Sequence, residues 1–74
     1  MKVFNYTVVI EKDEDGNYLA ICPALQGCYS EGSTKEEALE MIKDAIKLHL
    51  EDKIENNEVL YEEVFADKVE VTLG

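Results

Sequence analysis

Two cysteines and one histidine are the side chains best suited to nucleophilic chemistry or to binding a transition metal. Nucleophilic catalysis needs a cysteine or serine with a base within hydrogen-bond reach. His49, the single histidine, falls on the apolar stripe of a predicted helix, which favours a packing role. Cys28 precedes the N-terminal end of the same helix, a position that can lower the pKa of a thiol. Because no base is evident beside it, we predict that Cys28 packs rather than reacts.

The cysteines do not complete a metal site either. Five residues separate Cys22 from Cys28, and no second pair of cysteine or histidine ligands follows to make a tetrahedral zinc site. The acidic stretch EKDEDGN, residues 11–17, lacks the ligand spacing and the distant bidentate glutamate of an EF-hand calcium loop. Catalysis by two carboxylates that act as general acid and base stays open as an alternative, but the chain has 17 acidic residues and no pair of them stands out. We expect no metal, no cofactor and no catalytic residue.

The charge balance favours a basic protein partner. The 74 residues include 17 acidic and 7 basic side chains, for a net charge of −10. This charge repels the phosphates of nucleic acids and anionic membrane surfaces, so we expect direct binding to neither. It would steer a basic protein towards the chain. From charge alone, the alternative that it only keeps the domain soluble stays open.

The length and the N-terminus predict a single soluble domain in the cytoplasm. Seventy-four residues leave room for one core. No apolar run approaches the roughly 20 residues that a membrane-spanning helix needs. The opening MKVFNYTVVI has no small-residue cleavage site and is unlike a signal peptide. Without a secretion signal, the two cysteines are not expected to form a disulfide framework.

Alternating apolar residues predict three strands in the first half of the chain. The first covers residues 3–11 and is followed by Asp15-Gly16, a strong hairpin-turn signal. The second covers residues 17–22 and stops before a proline, which cannot donate to a strand ladder. A short third strand covers residues 26–32. The predicted core face of the first strand contains Phe4, Tyr6, Val8 and Ile10.

From residue 33 the apolar period changes from 2 to 3.6, which predicts a helix over about 34–53. Ser33 and Thr34 each precede a glutamate by three residues, so either can form a capping box. The pair Asn56-Asn57 is a plausible terminator. Alternation over residues 67–73 predicts a closing strand.

The predicted order is therefore β-β-β-α-β. A helix on one face of a small sheet makes an α+β two-layer sandwich. The last strand follows a helix, so it could lie parallel to a neighbour through a right-handed crossover. Residues 55–64, between helix and closing strand, could add a turn or a short second helix.

Three consecutive segments closely resemble the N-terminal domain of HicB-like antitoxins. They are YxVxIEKDEDGNYxA (residues 6–20), PALQGCYSEG (residues 23–32) and STKEEALEMIKDAI (residues 33–46). The resemblance implies a partial ribonuclease H-like fold of order β-β-β-α-β. It also implies a role in a type II toxin–antitoxin pair, in which the antitoxin binds HicA, a small basic mRNA interferase, and covers its catalytic surface. The net charge of −10 fits such a partner.

The resemblance further implies a fold without catalytic function. Ribonuclease H-like nucleases hold two Mg²⁺ ions with several carboxylates. The first strand has no aspartate at its central positions, Asn5, Tyr6, Thr7 and Val8. Many family members also continue into a DNA-binding segment, whereas this chain ends at Gly74, just after the predicted closing strand. We expect one HicB-like domain over residues 1–74 and no C-terminal DNA-binding domain.

We predict that the acidic hairpin and the third-strand region contact the toxin, because they combine charge with an exposed aromatic anchor. The predicted contact residues are Glu11, Asp13, Glu14, Asp15, Tyr29 and Glu31. A homodimer or higher oligomer is also expected, since a small domain with an exposed sheet edge gains by pairing. Two alternatives stay open. One is an orphan HicB-like regulatory or structural domain that binds another basic protein, and the other is a small metal-dependent nuclease or a hydrolase that uses Cys28.

Overall fold

A computed structural model describes residues 3–60 and 66–74 and places a three-stranded antiparallel sheet against one helix. The elements in chain order are β1 (Val9–Lys12), β2 (Tyr18–Ile21), β3 (Tyr29–Gly32) and α1 (Lys35–Glu55). Successive strands are neighbours, so the sheet order is β1-β2-β3. The predicted α+β class and the order of the first four elements are confirmed.

The strands are shorter than predicted. β1 begins at Val9 rather than at residue 3, because β2 stops at Ile21 and does not run alongside residues 3–8. Those residues keep the alternating exposure of an extended segment. The predicted core face is confirmed, because every second side chain packs against the core. These side chains are Phe4, Tyr6, Val8 and Ile10.

The close approach of β3 to α1 decides which face of the sheet is covered. The Ser30 hydroxyl donates to the Ala38 carbonyl at 3.1 Å. A Cβ atom built on Gly32 would lie 2.5 Å from the Ala38 backbone nitrogen, so only glycine fits under the first turn of the helix. The core lies between these two layers. Its buried side chains are Ala20, Cys22, Leu25, Cys28, Ala38, Ile42 and Leu50.

The structure shows which of the two predicted residues caps the start of α1. Thr34 is the N-cap, and its Oγ1 accepts a hydrogen bond from the Glu37 N–H at 3.0 Å. The Glu37 carboxylate reaches back to Ser33, where it accepts from the hydroxyl at 3.1 Å and from the N–H at 3.4 Å. The side chains of Thr34 and Glu37 thus accept from two backbone N–H groups, of Glu37 and Ser33, at the start of the helix.

The other end of α1 confirms the predicted terminator. Asn56 is the C-cap, and its side-chain amide donates to the Asp52 carbonyl at 2.9 Å. Asn57 then adopts φ of 56°, the left-handed conformation that stops a helix and that asparagine tolerates better than most residues. Within the described residues, no helix is long and apolar enough to cross a membrane.

Replacing Thr34 with alanine is expected to lower the free energy of unfolding by about 1 kcal/mol, because the Glu37 N–H loses its acceptor. Urea unfolding followed by circular dichroism measures the change. Thr34→Ser is the matched control, since it keeps the hydroxyl and should retain most of the stability. Equal losses in both variants would show that the cap hydrogen bond contributes little.

The C-terminal residues correct one prediction. Residues 66–74 are irregular and exposed, not a closing strand. Val69, Val71 and Leu73 are 84%, 75% and 92% exposed. Alternation produces a strand only where a neighbouring strand supplies hydrogen-bond partners, and no strand of residues 3–60 runs beside this segment. The predicted turn or second helix over 55–64 falls partly on residues 61–65, outside the described part of the chain.

Candidate partner-binding surface

The sheet has one face that α1 does not cover. Residues directly opposite each other in antiparallel strands lie on the same face. Ser30 and Gly32 face α1, so the rows made by the intervening positions face away from it. We call these two rows the outer face. They are Val9–Ile21–Tyr29 and Glu11–Leu19–Glu31.

The outer face combines an apolar row with an acidic row. Tyr29 is 63% exposed and Val9 is 43% exposed, which is high for large apolar side chains. In the adjacent row, the carboxylates of Glu11 and Glu31 flank Leu19. Exposed apolar area bordered by charge is typical of a protein-binding surface.

A groove of about 470 Å³ lies in the outer face beside the loop that joins β2 to β3. Three backbone hydrogen bonds close this loop: Cys22 N–H to Cys28 C=O, Leu25 N–H to Cys22 C=O, and Cys28 N–H to Leu25 C=O, all of 3.0 to 3.1 Å. Gly27 has φ of 77°, which permits the turn back into β3. The groove is lined mainly by apolar side chains, among them Leu19, Ile21, Pro23, Leu25 and Tyr29, with Glu31 at its border.

The acidic hairpin lies at the end of the outer face, directly after β1. Asp13 organises it, because its Oδ1 accepts from the N–H groups of Asp15 and Asn17 at 2.9 Å each. Gly16 has φ of 85°, as the predicted Asp-Gly turn requires. Glu14 and Asp15 stay exposed. The turn therefore holds three carboxylates at one end of the outer face without burying any of them.

The predicted contact residues fall into two neighbouring groups. Glu11, Tyr29 and Glu31 share the outer face, and the carboxylates of residues 13–15 lie in the hairpin next to it. Their role in binding a partner stays a prediction. Leu19 and Ile21, which line the groove, are not among the residues predicted from the sequence. The signal was available in YLAIC, where apolar residues on both faces indicate a strand whose outer face is not simply solvated.

The cysteines have the packing role predicted for them. Cys22 and Cys28 are 1% and 2% exposed and belong to the core. Burial raises the pKa of the Cys28 thiol, and the nearby Cys22 adds to the rise. Because a buried neutral thiol is a poor nucleophile, Cys28 lacks the features of a reactive cysteine. His49 is half-buried on α1, on the predicted packing stripe.

The Cys28 thiol is expected to react with iodoacetamide at least about tenfold more slowly in the folded chain than in urea at pH 8, because burial both shields it and disfavours the thiolate. The Cys22→Ala variant reports Cys28 alone, and mass spectrometry gives the rate. As pH rises past the ordinary thiol pKa of 9.0, the folded state should lose stability relative to the unfolded state, which deprotonates first. Equal labelling rates in both states would contradict the buried placement.

The described residues contain no group of three or more His, Cys, Asp or Glu side chains that could hold a metal ion.

The sequence model for the HicB-like antitoxin of bacterial toxin–antitoxin systems matches residues 6–72. The chain belongs to the HicB-like antitoxin family. No solved structure matches the chain significantly.

Several curated proteins are similar to this member of the family. A UPF0150 protein of Synechocystis is 51% identical over 53 residues, which cover 72% of this chain and 67% of the relative. A UPF0150 protein of Thermoplasma acidophilum is 53% identical over 53 residues, 72% of this chain and 77% of the relative. Antitoxin HicB 1 of Photorhabdus laumondii is 38% identical over 58 residues, 78% of this chain but only 37% of that longer protein.

Proposed function

We propose that this chain is an antitoxin-type binding module that neutralises a HicA-like mRNA interferase by covering its catalytic surface. Membership in an antitoxin family supports a toxin partner in general terms. One structural observation supports the mode of binding: the outer face presents an apolar groove bordered by carboxylates and is not covered by α1.

The charge of the chain supports a basic partner. An mRNA interferase must bind RNA phosphates, so its catalytic surface is expected to be positive. The net charge of −10 would accelerate the encounter with such a surface. Glu11 and Glu31 on the outer face, with the hairpin carboxylates at its end, would then occupy the positions that RNA phosphates take. A ligand that occupies this site without being cleavable blocks the toxin.

Co-expression tests this proposal. A tagged copy of the chain is expected to capture a HicA-family toxin encoded beside it and to restore growth to cells expressing that toxin. A double variant, Glu11→Lys with Glu31→Lys, reverses the charge on the outer face. It should neither capture the toxin nor restore growth, and it should unfold at a temperature similar to that of the unmodified chain. If the unmodified chain neither binds nor rescues, the orphan alternative with another basic partner takes its place.

We also propose that the fold is a degenerate form of the ribonuclease H-like arrangement. The order β-β-β-α and the family membership support it. A nuclease function is disfavoured by the residues at the centre of the first predicted strand, which are Asn5, Tyr6, Thr7 and Val8 and include no aspartate. An RNA-cleavage assay with added Mg²⁺ tests this, and cleavage by the purified chain would overturn it.

Self-association is a further part of the proposal. Val69, Val71 and Leu73 are exposed apolar side chains at alternate positions, which pairing between copies would bury. Light scattering is expected to give at least twice the 8.4 kDa mass of one chain. Serine at these three positions should return the chain to a monomer, whereas serine at Lys68 and Glu70, on the alternate positions, should not. A monomeric unmodified chain would contradict this part of the proposal.

A further inference from the structure

β3 forms one edge of the described sheet, and its backbone faces outward at two positions. The Cys22 N–H donates to the Cys28 carbonyl, and hydrogen-bonded pairs alternate along antiparallel strands. In the observed register, Ala20–Ser30 and Tyr18–Gly32 are therefore the hydrogen-bonded pairs. It follows that the N–H and C=O groups of Tyr29 and Glu31 point away from β2.

This edge is accessible within the described part of the chain. No strand of residues 3–60 or 66–74 lies on the outer side of β3. Among residues 3–60 and 66–74, the hydrogen bonds between turns, loops and caps include none to the backbone of Tyr29 or Glu31. Outward N–H and C=O groups on a sheet edge are a template for an added strand.

The side chains beside this edge specify what an added strand must carry. Tyr29 and Glu31 both project on the outer face, two residues apart, with the groove next to them. An added strand places every second side chain on that face. It would need an apolar side chain beside Tyr29 and the groove, and a basic one, two residues along, beside Glu31.

Two segments of this chain, β3 of a second copy and residues 66–74, are poor candidates for the strand added to β3. If β3 of a second copy paired with β3, no register would place a basic side chain beside Glu31, since β3 contains none, and each molecule carries a charge of −10. If the segment 66–74 paired as a strand, Val69, Val71 and Leu73 would share one face, and its only lysine, Lys68, would share the other face with Glu70. Its only apolar and basic pair two residues apart is Ala66 with Lys68, and the methyl group of alanine is too small to fill the groove beside Tyr29.

We propose that the basic partner binds by adding a strand to the edge of β3, with an apolar-x-basic or basic-x-apolar motif facing the groove and Glu31. This inference rests on the proposed function, because it specifies how that same surface holds the toxin. The main-chain hydrogen bonds at Tyr29 and Glu31 supply affinity, and the two alternate side chains supply specificity.

Amide hydrogen exchange measured by NMR tests the inference without altering the chain. The probe is a catalytically inactive HicA-family toxin. In the free chain, the amides of Tyr29 and Glu31 should exchange quickly, and those of Ser30 and Gly32 slowly. In the complex, the Tyr29 and Glu31 amides should slow by at least about tenfold. Fast exchange at both positions in a complex that does form overturns the inference and leaves the proposed function standing.

Slow exchange of the same two amides in the free chain also overturns the inference, because the edge would already be occupied. Absence of any complex contradicts the proposed function itself. The two failures are therefore distinguishable in one titration.

Two variants at Glu31 separate the contribution of its backbone N–H to binding from that of its carboxylate. Glu31→Ala removes the carboxylate and keeps the N–H, whereas Glu31→Pro removes both. Proline is tolerated on an edge strand where its missing N–H faces outward, so both variants should fold. Glu31→Pro is expected to bind the inactive toxin at least about tenfold more weakly than Glu31→Ala. Equal dissociation constants for two folded variants would overturn strand addition.

Discussion

Replacing Gly32 with alanine is expected to lower the free energy of unfolding by about 1 to 3 kcal/mol. The new Cβ would lie 2.5 Å from the Ala38 nitrogen, and 3.0 Å from the Ala38 Cα and the Glu37 carbonyl carbon. All three are backbone atoms of α1, so no flexible side chain can move aside. Either the helix shifts away from β3, or the strand twists, and both disturb the core around Ala38.

Thermal unfolding measures this loss, because each 1 kcal/mol shifts the midpoint of a domain of this size by about 4 to 8 °C. Gly74→Ala is the matched control, since a Cβ there has no heavy atom within 4 Å. If the two variants unfold at the same temperature, α1 does not approach β3 as closely as the structure shows.

Replacing Tyr29 with alanine is expected to weaken toxin binding by about 2 kcal/mol, or about thirtyfold in Kd. Tyr29 is the large aromatic side chain of the outer face, lies beside the groove and is 63% exposed before binding. Tyrosine is enriched among residues that dominate binding energy, because it buries a large rigid surface and keeps a polar end. Its exposure also means that its removal should leave the free energy of unfolding almost unchanged.

Leu48→Ala provides the matched control for Tyr29→Ala. Leu48 is 67% exposed, similar to Tyr29, but it lies on α1 in the other layer of the fold. Isothermal titration calorimetry with an inactive toxin gives both dissociation constants. A loss at Leu48 with none at Tyr29 would place the partner on the helix and contradict docking on the outer face.

Local patterns in the sequence predicted much of the fold, because they depend on short-range geometry. The Asp15-Gly16 turn, the cap at the start of α1 and its terminator at Asn56 each involve atoms within a few residues of one another. The choice of Thr34 over Ser33 as N-cap was not decided by spacing, since both precede a glutamate by three residues. The structure decides it, because Thr34 is extended and Lys35 is the first residue of α1.

The closing strand shows where local patterns stop being informative. Residues 67–73 alternate more regularly than β1, whose sequence is VIEK, yet they form no strand in the described structure. Alternation states which side chains could share a face, whereas a strand also needs a neighbour to complete its hydrogen bonds. The need for a paired neighbour also limits the lengths of β1 and β2, because each strand ends where its partner ends.

The sequence by itself determined the order of the first four elements, the core face of the first strand, the packing role of the cysteines and the antitoxin family. These follow from periodicity, turn chemistry and a motif order that a single chain displays. Only the tertiary structure decided that Glu11, Tyr29 and Glu31 share one face with a groove, and that this face points away from α1. That outcome depends on contacts between separate elements, above all the approach of Gly32 to Ala38, which no local pattern specifies.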